Sequence, residues 1–167
     1  MEGVNAERDA QEMLRTHWAT WTGDIPVPID PIAIARKLDI KVFTALLEQN
    51  VSGKLFMKAG RDPEIYLNQS DSYNRQRFTC AHELGHWVKH VAEGVESDEI
   101  VDYRGPLAST GTDTQEIYAN RFAAALLMPA EQVRRMTERG YGPVAVADAL
   151  RVSPDAAQFR IKNLGAD

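Results

Sequence analysis

The residues from His82 to His86 read His-Glu-Leu-Gly-His, and this string constrains the fold more than any other part of the chain. In an α-helix, residues four positions apart lie about 40° from each other and one turn along the axis, so the imidazoles of His82 and His86 can reach one metal ion. Glu83 lies about 100° round the helix, where its carboxylate can accept a proton from a water at the ion. The string therefore predicts a helix, the motif helix, with a zinc-type site and Glu83 as general base.

The residues around the string favour this helix. Gly85 is unfavourable inside a helix, by about 1 kcal/mol relative to alanine. Its position between the two histidines predicts that another backbone or a substrate comes close there. Apolar side chains recur at helical spacing on both sides of the string, at Phe78, Ala81, Leu84, Val88 and Val91.

Length and composition indicate a globular protein of one domain, or one domain with a small appendage. The chain has 167 residues, of which 44% are hydrophobic and 26% are charged, and such a chain can bury a sizeable core. No apolar run or basic, apolar N-terminus is seen, so we expect neither a membrane span nor a signal peptide. The single cysteine, Cys80, cannot form an internal disulfide, which favours a cytoplasmic location. The net charge of −5 indicates no general affinity for nucleic acid.

Three stretches with strand-like composition predict a sheet. They cover about residues 40–47, 51–57 and 64–68, and short links join them. Strands that are joined by short links favour a small antiparallel or mixed sheet, packed beside the motif helix. Gly53 predicts a bulge or a close approach in the second stretch. The polar residues 92–112 predict a long loop that could rim a cleft.

The fold class is therefore expected to be α+β, with a three-stranded sheet on a helical core that contains the motif helix. The last two helices are short and resemble the outline of a helix-turn-helix. Thr112 or Asp113 is expected to cap the helix whose apolar core covers residues 117–128. The predicted helices share apolar spacing, an Asp, Thr or Ser cap, or a proline in the first turn. They cover about residues 5–21, 31–38, 113–128 with an apolar core of 117–128, 129–139, 144–150 and 154–164.

A catalytic zinc site needs a third protein ligand, and His90 is one candidate. It lies one further turn along the motif helix, about 6 Å from His86, where three ligands cannot converge tetrahedrally. We therefore expect His90 to pack against a ligand or orient it. Solvated charges are expected for the acidic residues of the polar segment, which are Glu93, Glu96, Asp98, Glu99 and Asp102.

Glu116 is a stronger candidate, although the residues alone leave the choice open. It enters the apolar helix, and a buried carboxylate there would need a partner such as a dication. Asn120 lies one turn further along, where its amide could orient the Glu116 carboxylate. Cys80 points to nearly the opposite side of the motif helix from His82, so we place it in the core.

Two blocks of the chain resemble the ImmA/IrrE family of metallo-endopeptidases. The first runs from Arg75 to His86 and reads RQRFTCAHELGH, with His90 following. The second runs from Glu116 to Pro129 and reads EIYANRFAAALLMP. The resemblance spans about residues 25–165, and together the two blocks are far more specific than the His-Glu-Leu-Gly-His string.

The resemblance implies a metal site and an activity. The ligands would be His82, His86 and Glu116, with Glu83 as general base, and zinc, manganese or iron could occupy them. A zincin-like metallopeptidase domain would cover residues 1–140, with a helix-turn-helix-like appendage of residues 141–167 packed on it. The implied function is a site-specific cut in a helix-turn-helix transcriptional repressor, which relieves repression of mobile-element, prophage or stress genes.

Two other functions compete with this one. The chain could be a regulatory binding module, stabilised by its metal, that holds a repressor or a toxin–antitoxin partner without cutting it. Glu83 discriminates between them, because a purely structural metal site needs no carboxylate at that position. A DNA-binding regulator that uses residues 142–165 is a further alternative, and it would bind duplex DNA with a strong salt dependence.

Overall fold

A computed structural model of the chain describes residues 5–103 and 114–165. Those ranges form seven α-helices and four β-strands. In chain order the elements are α1 (Ala6–His17), α2 (Pro31–Lys37), β1 (Lys41–Ala45), β2 (Val51–Met57), β3 (Glu64–Asn68), α3 (Tyr73–Glu93), β4 (Asp98–Tyr103), α4 (Thr114–Leu127), α5 (Ala130–Glu138), α6 (Pro143–Leu150) and α7 (Pro154–Asn163).

The sheet has four strands, so the prediction of three was wrong. The strand order is β1-β3-β2-β4, in which β1 runs parallel to β3 and the other two pairs are antiparallel. The additional strand, β4, lies inside the segment 92–112 that was predicted to be a loop. Half of its residues are acidic, and an edge strand with a solvent-exposed face tolerates such residues. Residues 104–112, and the predicted caps Thr112 and Asp113, lie outside the described residues.

Gly53 in β2 has both features predicted for it. The register between β2 and β4 shifts between Val51 and Gly53. A Cβ atom at Gly53 would overlap Thr79 Cγ2 and lie 3.2 Å from Glu83 Oε1. The glycine therefore lets the backbone of β2 lie directly against α3, the motif helix.

The motif helix begins and ends at clear caps. The Ser72 side chain accepts a hydrogen bond from the backbone N–H of Arg75, and Gly94 ends the helix with a φ of 72°. This left-handed conformation suits glycine at a helix C-terminus. The sequence offers Ser70, Asp71 and Ser72 as caps and predicts an end near Val91, so the observed helix Tyr73–Glu93 is close to the prediction.

Helix α4 packs across the motif helix at Gly85. A Cβ atom at Gly85 would lie only 3.0 Å from Ala119 Cα and 3.1 Å from Phe122 Cβ. This is the close backbone approach that the sequence predicted. Because Glu116 lies one turn before Ala119, the crossing brings it over the two histidines.

The helix α1 ends before the predicted limit of residue 21. Its last residue is His17, and the Trp18 indole N–H then donates to the Pro26 carbonyl oxygen at 2.7 Å. This tertiary hydrogen bond favours a turn over another helical turn. In the core, Cys80 is fully buried, as expected. None of the helices in the described ranges combines the length and apolarity needed to cross a bilayer.

The two C-terminal helices, α6 and α7, lie where the sequence predicted helices. Buried Arg77 of the motif helix donates to the carbonyl oxygens of Leu150 and Arg151, each at 3.2 Å. Arg160 of α7 forms a two-pronged ion pair with Glu7 of α1, at 2.9 and 2.7 Å. These contacts join the tail to the body, while the helix-turn-helix role and the boundary at residue 140 stay predictions.

Candidate metal centre

Side chains from α3 and α4 converge on one point. The Nε2 atoms of His82 and His86 are 3.0 Å apart. The Glu116 carboxylate lies 3.3 Å from His82 Nε2 and 3.1 Å from His86 Nε2. One donor atom from each residue thus lies within 4.8 Å of the others. The fold brings together the three residues that were named as ligands.

This donor set suits a zinc-type ion. Two imidazole nitrogens and one carboxylate oxygen form a set that occurs in zinc peptidases. With Zn–N bonds of about 2.0–2.1 Å, two ligand nitrogens of a tetrahedral site would be about 3.3 Å apart. The observed separation of 3.0 Å between the two Nε2 atoms is close to that value. The side chains therefore fit an ion with little rearrangement.

Asn120 orients the imidazole of His82. Its Oδ1 atom lies 3.0 Å from His82 Nδ1. With the ring proton on Nδ1, His82 donates to Asn120 and directs the lone pair of Nε2 at Glu116 and His86. Metal-binding histidines usually need such a hydrogen bond. We expected Asn120 to orient the Glu116 carboxylate, but one turn further along α4 it faces His82 instead.

Glu83 is fully buried beside the cluster. In the described part of the chain, neither of its carboxylate oxygens has a hydrogen-bond partner. Burial raises the pKa of Glu83 to about 8, with His82 opposing the rise and Asp102 and Glu116 adding to it. A dication nearby would favour the ionised carboxylate. The position therefore suits a group that accepts and returns a proton.

Electrostatics favour the metal-binding state of Glu116 and His86, whereas His82 must lose a proton before its Nε2 atom can bind an ion. Burial alone would raise the pKa of Glu116, but hydrogen bonds that His82 and His86 donate when their Nε2 atoms are protonated hold that pKa well below its usual range. Burial lowers the pKa of His86, and Glu116 opposes this only in part. Burial would also lower the pKa of His82, but Glu116 and Glu83 raise it overall. Glu116 is thus ionised and His86 neutral, as metal ligands must be.

His90 lies outside the donor cluster, as expected. Its Nδ1 atom donates to the His86 carbonyl oxygen at 2.9 Å, and its Nε2 atom lies 2.9 Å from Asp98 Oδ2. The ring therefore connects the motif helix to the start of β4. Asp98 was expected to be a solvated charge, but the pairing with His90 gives it a structural contact.

Comparison with known proteins identifies the family. A sequence model described as the IrrE N-terminal-like domain matches residues 35–162 of the chain. The chain belongs to the ImmA/IrrE family of metallopeptidases. This confirms the resemblance noted from the two sequence blocks.

Two curated members of the ImmA/IrrE family are similar to the chain over part of their length. A protein named "Radiation response metalloprotease IrrE" from Deinococcus radiodurans is 37% identical over 108 residues, which are 60% of this chain and 32% of that protein. A protein of the same name from Deinococcus deserti is 37% identical over 95 residues, which are 54% of this chain and 32% of that protein. The chain therefore spans about a third of the length of these relatives.

In this member of the ImmA/IrrE family, Asp102 lies beside the candidate metal centre, which the sequence did not predict. It was expected to be a solvated charge in a loop, but only 7% of it is exposed. It lies in β4, directly opposite Gly53 of β2. The spacing of Asp98, Ile100 and Asp102 is the period of a strand with one face turned inward, and this signal could have revealed it.

A cavity of about 1080 Å³ lies between α1, α4 and α7. Ile117, Met128 and Phe159 are among its apolar lining residues. It is lined by Asn120 but by none of the three donor residues. The candidate chemistry is therefore located beside this cavity and not inside it.

Proposed function

We propose that the chain is an endopeptidase that depends on a metal ion held by His82, His86 and Glu116. The observation that carries this proposal is the convergence of the three donor atoms within 4.8 Å, next to a buried and unpaired carboxylate. Membership of the ImmA/IrrE family supports it. A purely structural metal site would give no reason for Glu83 at that point.

The roles of the side chains follow from their positions. When bound, the ion would lower the pKa of a water and polarise the scissile carbonyl. Glu83 takes the proton from the attacking water and returns it to the leaving amine. Asn120 holds the His82 ring with Nε2 directed at the ligand cluster. Glu83 is buried, with the backbone of β2 at Gly53 lying against it, and this burial strengthens its interactions with nearby charges.

The proposed substrate is a helix-turn-helix transcriptional repressor in the cytoplasm, and its cleavage would switch on stress or mobile-element genes. The curated relatives are named as radiation-response metalloproteases, which supports a stress-related role. Zinc is the metal that we propose, and manganese or iron would suit the same ligands. Elemental analysis of the purified chain identifies the metal.

The test uses the helix-turn-helix repressor encoded nearest to the gene. The repressor is incubated with the metal-loaded chain and, separately, with Glu83→Gln, which keeps the three ligands. Intact masses are then recorded. We expect a single cut by the wild type and a loss of turnover in the variant of about a hundredfold or more.

Two results would contradict the proposal. A Glu83→Gln variant that cuts at the wild-type rate would exclude Glu83 as the general base. Stable co-elution of both forms with the intact repressor, with no cut, would favour the regulatory binding module instead.

A further inference from the structure

One face of β4 is directed at the motif helix. Side chains alternate along a strand, so Asp98, Ile100 and Asp102 share a face. Asp98 contacts His90 of α3, which shows that this face is turned towards the motif helix. Asp102 lies at the other end of the same face, where it is buried.

Asp102 lies beside Glu83 because of its strand partner. It pairs in register with Gly53, the residue that lies against Glu83. Opposite residues of an antiparallel pair point to the same side of a sheet. Because Gly53 has no side chain, nothing from that position covers the Asp102 carboxylate.

Within residues 5–103 and 114–165, the Asp102 carboxylate has a single ion pair, and that pair is long. The nearest cation is Arg75, whose Nη2 atom is 4.0 Å away. That nitrogen donates instead to Ser52 Oγ at 3.1 Å. A charge-assisted hydrogen bond to a carboxylate would be about 2.7–2.9 Å long. A largely buried carboxylate whose one ion pair is this long has room for a donor at hydrogen-bond distance, and a ligand side chain can supply that donor.

The charges of the candidate metal centre act on the Asp102 carboxylate. Burial raises the pKa of Asp102, His82 and Arg75 oppose the rise, and Glu116 adds to it. Asp102 therefore lies within electrostatic reach of the ligand cluster. A group that binds Asp102 would be held close to Glu83 and the ligands.

We propose that Asp102 is a substrate-positioning residue that binds a lysine or arginine side chain next to the scissile bond. This inference rests on the proposed peptidase function. An ionised carboxylate can only accept hydrogen bonds, and among the donors of a peptide the cationic side chains bind it most strongly and favour its ionised form. The chain itself carries a net charge of −5. A DNA-binding repressor carries lysine and arginine residues on its surface, so the charges of the two proteins are complementary.

The experiment compares the wild type with Asp102→Asn and Glu99→Gln. Glu99 lies in the same strand on the opposite, exposed face, so its variant is a matched control for loss of one negative charge. Each metal-loaded full chain is incubated with a peptide library made by digesting a bacterial proteome with a glutamate-specific protease. Mass spectrometry then gives the residues on both sides of every cut.

We expect the wild type and Glu99→Gln to prefer lysine or arginine at one position beside the cut. The preference in kcat/KM should be about tenfold to a hundredfold, the range expected for a hydrogen bond between charged groups. Asp102→Asn should lose it, and Asp102→Lys should prefer an acidic residue at the same position. If Asp102→Asn keeps the preference, or slows all cuts equally, the inference is wrong.

A second measurement needs no turnover and separates this inference from the proposed function. Metal-loaded Glu83→Gln and the double variant Glu83→Gln/Asp102→Asn are immobilised and exposed to the same library. Retention of lysine- and arginine-containing peptides by the first alone would support the role of Asp102, even if the wild type cuts nothing and the peptidase proposal fails. Equal retention by both would exclude it.

Discussion

Asn120 shows how a single residue can set the state of a metal ligand. Its Oδ1 atom accepts from His82 Nδ1, and this contact places the ring lone pair on the side of Glu116 and His86. Without the acceptor, the His82 ring could rotate or carry its proton on the wrong nitrogen. The affinity for metal should therefore depend on a residue that does not touch the ion.

The first residue-level prediction concerns Asn120. Asn120→Ala should weaken zinc binding by about tenfold to a hundredfold, the usual effect of removing an outer hydrogen bond from a ligating histidine. Asn120→Asp keeps an oxygen acceptor and should bind zinc nearly as well as the wild type. Titration of zinc against a chelator of known affinity measures both. Equal affinities for the alanine variant and the wild type would refute the role of Asn120.

The second residue-level prediction concerns pH. The raised pKa of His82 means that protons compete with metal for this ring at pH values above 6.5, the ordinary value for histidine. The pKa of Glu116 is lowered, so this carboxylate remains ionised over the same range. Zinc affinity should therefore be highest at alkaline pH. Below the pKa of His82, each zinc ion that binds displaces one proton from this ring, so the affinity should fall by about tenfold for each pH unit. Affinity that does not change between about pH 5.5 and 7.5 would contradict this.

At the scale of elements, the crossing of α3 and α4 decides whether the site can form. The two histidines come from α3 and the carboxylate from α4. The helices approach closely because Gly85 has no side chain where Ala119 and Phe122 pack. The glycine was noticed in the sequence as an unfavourable residue in a helix, but its partner could not be identified without the tertiary structure.

This crossing leads to a prediction for Gly85→Ala. The added methyl group favours the isolated helix by about 1 kcal/mol, but overpacking against α4 opposes it by about 1–3 kcal/mol. We expect the free energy of unfolding to fall by about 1 kcal/mol and the zinc affinity to fall with it. Urea denaturation measures the first quantity.

Gly142→Ala is the matched control for this prediction. Gly142 has no atom within 4 Å of an added Cβ and has a φ of −79°. Its substitution should change the free energy of unfolding by less than about 0.5 kcal/mol. If Gly85→Ala is as stable as Gly142→Ala, the packing argument is wrong.

At the scale of the whole molecule, a bound metal would link segments that are far apart in sequence. His82 and His86 precede β4, while Glu116 follows it. The tail is held by Arg77 from the same motif helix, which donates to the carbonyl oxygens of Leu150, the last residue of α6, and of Arg151, which follows it. A change at the metal centre can therefore affect the stability of the complete fold.

This link gives a prediction for metal removal. At a free zinc concentration of 100 times Kd, binding should stabilise the folded chain by about 2.7 kcal/mol. That corresponds to a rise in Tm of about 5–10 °C for a domain of this size. Thermal unfolding with zinc and with a chelator measures the difference. Glu83→Gln should show the same rise and His86→Ala should not; a rise in His86→Ala would place the metal elsewhere.

The sequence by itself determined the helix that carries His82 and His86, the three strands β1, β2 and β3, and the capped helices. Local spacing and cap chemistry act over a few residues, so these features can be predicted without long-range contacts. Only the tertiary structure decided that Glu116 faces the histidines and that Asn120 contacts the His82 ring. It also decided that Asp102 is buried in an edge strand beside the candidate metal centre. Each of these depends on which elements pack together, and the same charged residues would be solvated if β4 did not pair with β2.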